Sequence, residues 1–131
     1  MTLGIAITGA GCLCAAGATL GAAFEALLAG VRAPAPPRRI QTDHPVRYPM
    51  FEVRDFDGPP ELLRTSALGL EAARQALADA GWSGPFGPGL RVGILMGTTV
   101  ACALNDEAYC RAYRAGAAPD PGRLTRILRS N

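Results

Sequence analysis

Two short apolar runs, each closed by glycine, set the terms on which this chain can fold. The first, Leu3 to Thr8, carries Leu3, Ile5 and Ile7 with Ala6 between them and no charge. That is the pattern of a strand covered on both faces. Gly9-Ala10-Gly11 ends it. The second, Leu90 to Gly97, brings Leu90, Val92, Ile94, Leu95 and Met96. Two strands make less than a sheet of ordinary width, so the sequence reads as an open, half-built layer.

Helical patterns lie between and after these runs. Thr19 can cap a helix over about 20–29, with Leu20, Phe24, Leu27 and Leu28 on one apolar face and Gly30 as its stop. Residues 31–60 hold Pro34, Pro36, Pro37, Pro45, Pro49, Pro59 and Pro60. Proline at this density removes backbone donors, so an extended surface excursion is expected, with a short strand around 51–53. A second helix is expected over about 60–80. Proline stands at its start, Leu63, Ala67, Leu70, Ala73, Leu77 and Ala80 recur at helical spacing, and Gly81 ends it. Gly69 inside it costs about 1 kcal/mol relative to Ala and suggests a close backbone approach. A third helix fits 106–115, with Asn105 as cap and Gly116 as stop, and a last segment starts near Asp120-Pro121. The order predicts an α/β fold. The strands near 3–8 and 91–97 should lie parallel in one sheet, with the helix around 62–80 packed on it.

Composition narrows the function classes. Hydrophobic residues make up 49% of the 131 and charged residues 18%, which permits a buried core. The net charge of +2 gives no footprint for nucleic acid. All 13 basic residues are Arg, five of them at 111, 114, 123, 126 and 129. The first 30 residues lack a positive n-region, are interrupted by glycines and carry Glu25, so they do not read as an export signal. No apolar run is long enough to span a membrane. A cytoplasmic chain with free thiols is expected.

The glycine turn invites a nucleotide reading. In Gly9-Ala10-Gly11-Cys12-Leu13-Cys14, the first two positions of a Gly-x-Gly-x-x-Gly fingerprint are filled, but Cys14 takes the third. The acid that should hold a ribose is missing from Val31 to Arg39. A tight turn fits better, and no NAD(P) or FAD is expected; a small dinucleotide-binding module stays as the alternative of a different class. Cys12, Cys14, Cys102 and Cys110 match no common zinc spacing, and buried structural thiols account for them more simply than catalysis does. Gly97-Thr98-Thr99, after the second strand, puts small and hydroxyl groups at a sheet edge where α/β proteins bind ligands.

Taken in order, these segments resemble β-ketoacyl-[acyl-carrier-protein] synthases of the thiolase-like superfamily. Ile5 to Gly11 and Phe24 to Gly30 resemble the family's opening. Asp55-Phe56, Arg64-Thr65-Ser66, Ala72 to Gly81 and Arg91 to Thr99 continue it, and Glu107, Tyr109, Arg114-Ala115-Gly116 and Asn131 fall where the family has similar residues. The resemblance implies the N-terminal part of a thiolase-like α-β-α layered fold with an incomplete sheet, residues 31–60 being an excursion within it. It implies condensation of acyl groups with malonyl-acyl-carrier protein in fatty-acid or polyketide assembly, in a homodimer or with a ketosynthase-like partner. The family's nucleophilic Cys and its two supporting groups, usually His, lie beyond the segment matched by Asn131. No catalytic residue is therefore expected in the chain, and His44 matches none. Val100 matches a position that lines the acyl pocket. Two departures stand out. Val100-Ala101-Cys102 replaces the glycines many relatives carry, and Glu61 with a lone Arg64 replaces a basic helix start that receives the carrier protein. A non-catalytic chain-length-factor-like partner is the alternative within the fold.

Overall fold

The computed structural model describes residues 4–40, 42–99, 103–122 and 125, with 103–105 described for their backbone alone. Among the described residues three helices are formed: α1 (Leu20–Leu28), α2 (Arg64–Asp79) and α3 (Ala103–Arg114). The chain divides into two units, one of residues 1–57 and 68–84, the other of 58–67 and 85–131.

All three helices stop by the same device. Gly30, Gly81 and Gly116 take φ of 70°, 71° and 77°, the left-handed region that glycine enters without steric cost. At α1, Val31 N donates to Ala26 O at 2.8 Å and Gly30 N to Leu27 O at 3.1 Å. Trp82 N to Leu77 O at 2.8 Å and Ala117 N to Ala112 O at 3.0 Å repeat the pattern at α2 and α3. Each is a Schellman closure that satisfies carbonyls the helix itself leaves open. The N-terminus of α1 is capped by Thr19, whose hydroxyl accepts from Ala22 N at 3.2 Å.

The helix starts differ from the sequence expectation in two places. Helix α2 begins at Arg64, not Pro60. Consecutive prolines push the first of the pair out of the helical region, and Pro59 to Leu62 instead closes a turn, with Leu62 N donating to Pro59 O at 3.0 Å. Helix α3 begins at Ala103, which puts Asn105 inside it rather than at its cap. The segment expected from 120–121 onward lies largely outside the described residues; within it Thr125 N donates to Pro121 O at 3.0 Å.

Neither expected strand carries a β-ladder among the described residues. The described β pairing there consists of two isolated antiparallel bridges, Cys14 with Gly17 and Ala35 with Met50. Residues 4–8 and 90–97 are irregular and open: Ile5 is 100% exposed and Leu95 97%. A strand's backbone groups need a neighbour to bond to, and these runs have none in the described chain. The bulky face expected for α1 is likewise outside, with Leu20, Phe24, Leu27 and Leu28 all exposed. The small residues Ala23 and Ala67 are the buried apolar side chains of the described residues.

The excursion is held by side chains in place of a ladder. Ala35 and Met50 exchange hydrogen bonds of 3.1 and 2.9 Å, so pairing falls at Met50 and the strand expected at 51–53 does not form. Glu52 then accepts the amides of Arg38 and Arg39 at 3.0 and 2.9 Å. Those amide bonds, helped by the Arg54 and Arg39 guanidinium charges, hold its carboxyl below the usual range. Arg54 reaches Pro36 O at 2.7 Å, and Arg39 pairs with Asp57 at 2.8 Å.

What orders the first unit is the approach of a backbone turn to α2. A Cβ built on Gly9 would stand 2.2 Å from Ala76 O, and one on Gly11 2.0 Å from Ala72 O. The glycine turn thus lies against the Ala72, Ala76 and Ala80 stripe, not against the Leu70 and Leu77 side. Gly17 packs as closely on the first turn of α1, 2.4 Å from Ala23 N by the same measure.

Gly9→Ala and Gly11→Ala should each destabilise the chain, by about 1–3 kcal/mol as overpacked sites do. Gly21→Ala, with open space around it, should stabilise by less than about 1 kcal/mol. Urea melts followed by far-ultraviolet circular dichroism check the contrast; equal midpoints for all three variants would contradict the packing.

Candidate functional site

The Gly9–Ala18 segment is the best-organised feature of the first unit. Helix periodicity sets Gln75 and Asp79 four residues apart on one face of α2, next to the alanine stripe that admits the turn. Asp79 Oδ2 accepts the amide of Ala10 at 3.0 Å, and Gln75 Oε1 accepts the amide of Cys12 at 3.2 Å. The Gln75 amide nitrogen donates to Ala18 O at 2.9 Å and to Glu71 Oε1 at 3.0 Å. One glutamine side chain therefore ties both ends of the turn to α2. Arg74 completes the row with a two-pronged bond to Glu71, at 2.8 and 2.7 Å.

This arrangement weighs against a pyrophosphate site. The turn amides that would face an anion already donate to a carboxylate and an amide oxygen, and a second negative group beside Asp79 would be repelled. The turn also does not open a helix, because α1 starts only at Leu20, so the amide-rich helix end that favours phosphate is absent from its mouth.

The Cys12 thiol is held in its protonated form. Cys12 and Cys14 are half-buried and free. Burial, together with a hydrogen bond to the Cys14 side chain and its charge, pushes the Cys12 thiol up. Cys110 is exposed on α3. His44 is local: its Nδ1 stands 3.2 Å from Val46 N and its ring 5.4 Å from that of Tyr48. No cluster of three metal-ligating side chains occurs among the described residues.

Val100, expected to line an acyl pocket, and Cys102 lie outside the described residues. Gly97 and Thr98 are exposed, at the end of the second apolar run. Sequence reasoning missed Glu71, Gln75 and Asp79. Their signal was present as three polar residues, four apart, beside the Ala72 to Ala80 stripe, but a polar stripe on a helix ordinarily faces water.

Glu71 makes the clamp sensitive to acid. Its bonds to Arg74 and then Gln75 pull its pKa from 4.5 to about 2. A carboxyl with a lowered folded-state pKa stabilises the fold above its unfolded value, and that stabilisation is lost as pH falls toward the folded one. The helical signal should weaken between about pH 4.5 and 2. Glu71→Gln should flatten that part of the profile, leaving the part due to Glu52, and an unchanged acid profile in this variant would remove Glu71 from the clamp.

No helix among the described residues is long and apolar enough to cross a membrane. No protein-family model matches the chain, and no curated protein and no solved structure is significantly similar to it.

Proposed function

We propose that this chain forms the N-terminal portion of a cytoplasmic β-ketoacyl synthase of thiolase-like fold. The whole enzyme would condense acyl groups with malonyl-acyl-carrier protein in fatty-acid or polyketide assembly, as a homodimer or with a ketosynthase-like partner. One observation carries the reading beyond the order of its motifs. Gly9 and Gly11 belong to the first segment that resembles the family, and Ala72, Ala76 and Ala80 to a later one. These two distant segments meet in a contact too close for any side chain on the glycines. Residues that resemble a family in sequence here serve one packing purpose together.

The open apolar runs fit the same proposal. Ile5, Ile7, Ile94 and Leu95 are each at least 85% exposed, as two strands awaiting the rest of a sheet would be. Apolar edges of this kind promote association. The chain alone should therefore bind a hydrophobic dye and sediment as larger than a monomer. Ile5→Asp with Leu95→Asp should lower both signals, and a dye-silent monomer would contradict the half-built layer.

Condensation needs an activated thiolate and donors for a developing enolate. Burial pushes the Cys12 thiol away from the thiolate form, and no residue matches the family's nucleophile. The chain alone should form no β-ketoacyl product from acetyl and malonyl groups on acyl-carrier protein, and product formation would overturn the assignment of roles. The coding DNA downstream of Asn131 tests the whole reading. A Cys elbow followed by two His motifs supports a condensing enzyme. A Gln in place of that Cys supports a chain-length factor, and an immediate stop codon overturns both.

A further inference from the structure

An aspartate closes a succinimide ring when the amide nitrogen of the next residue reaches its side-chain carboxyl. A side chain on that next residue, or a bond that occupies its amide, hinders the closure. Five of the six aspartates are hindered in one of these ways. Pro121, after Asp120, has no N–H. Ala80 N, after Asp79, donates to Ala76 O at 3.0 Å, and His44 N, after Asp43, donates to Thr42 Oγ1 at 3.1 Å. Asp106 lies inside α3, and Asp55 is followed by the bulky Phe56. Asp57 differs. Gly58 follows it, the one glycine after any Asp or Asn in the sequence, so no Cβ stands over the attacking nitrogen. The pair lies outside helix and bridge, and the Asp57 side chain is 90% exposed. Arg39 restrains it from across the excursion: Nη2 donates to Asp57 Oδ1 at 2.8 Å and to Phe56 O at 3.5 Å.

We propose that Asp57-Gly58 is a site of isoaspartate formation, held back in the folded chain by Arg39. Gly58 N attacks Asp57 Cγ. A carbon–nitrogen bond forms, a carbon–oxygen bond breaks, and the amide proton leaves with the carboxyl oxygen and its proton as water. Water then adds to either carbonyl of the imide. Opening on the Cγ side restores aspartate. Opening on the main-chain side leaves the backbone running through Cβ and Cγ, with the free carboxylate on Cα. The water lost is regained, and nothing is oxidised or reduced. The backbone lengthens by one carbon at the bond where the chain passes from the first unit to the second. The carboxylate also leaves the position at which Arg39 binds it. An α-carboxylate on an isoaspartyl residue is the group that S-adenosylmethionine-dependent repair methyltransferases esterify, so the isomerised chain is a substrate for that class of enzyme. None of this chemistry draws on the ketosynthase reading.

The test ages the full chain in warm neutral buffer, then releases the 55–64 peptide with trypsin, which cuts after Arg54 and Arg64. With ageing this peptide should split into two forms of equal mass. One of them should be labelled by an isoaspartyl methyltransferase with radioactive S-adenosylmethionine, and fragmentation should place the change at Asp57. Asp57→Glu should remove the labelled form, and Gly58→Val should slow its appearance severalfold. Arg39→Gln should speed it severalfold in native buffer, and the difference from wild type should vanish in urea. A wild-type peptide that stays single and unlabelled, or a label at Asp55 instead, would overturn the site. Equal rates for wild type and Arg39→Gln in native buffer would overturn the restraint.

Discussion

The first unit depends on one constraint: a backbone turn must approach a helix closely enough that no side chain can stand between them. Gly9 and Gly11 meet the carbonyls of Ala76 and Ala72, and at that distance the helix face must be alanine and the turn must be glycine. Hydrogen bonds then fix the register. Asp79 takes the Ala10 amide at an exposed bond, and Gln75 takes the Cys12 amide at a part-buried one, where losing the partner costs more. Dispersion contacts and polar satisfaction thus act at the same place.

Outside that contact many apolar residues of the described chain stand open. The runs at 4–8 and 90–97 have strand composition without strand partners, and Phe24, Leu27 and Leu28 project from α1 into solvent. Hydrophobic burial is the dominant favourable term in folding, and here most of it is unspent. That imbalance accords with a layer designed to be covered, and it gives the ketosynthase proposal a physical motive separate from its motifs.

The excursion offers a second solution to a shortage of backbone donors. Its prolines cannot build a ladder, so Glu52 gathers two amides while Arg39 and Arg54 bind carbonyls and an acid across the loop. The Arg39–Asp57 pair is exposed at its acid and individually weak. Together with the Ala35–Met50 bridge these contacts give the segment a fixed path without regular structure.

Local signals in the sequence determined the helix stops. Gly30, Gly81 and Gly116 follow apolar periodicity and take the left-handed geometry that only glycine enters cheaply, while Thr19 caps α1 through a bond spanning three residues. The existence of three helices and the irregular path of residues 31–60 were legible for the same reason. What tertiary structure alone decided is which faces are used. The periodicity of α2 pointed to Leu63, Ala67, Leu70, Ala73, Leu77 and Ala80; of these Ala67 is buried and Ala80 meets the turn, while Leu70 and Leu77 are exposed and Ala72 and Ala76 take the turn's other contacts, chosen by the shape of a turn more than fifty residues away in the chain. Glu71, Gln75 and Asp79 looked like a solvated face until that turn supplied amides for them to bind. The apolar runs stayed unpaired because strand pairing depends on a neighbouring backbone, and no run of residues carries its neighbour within itself.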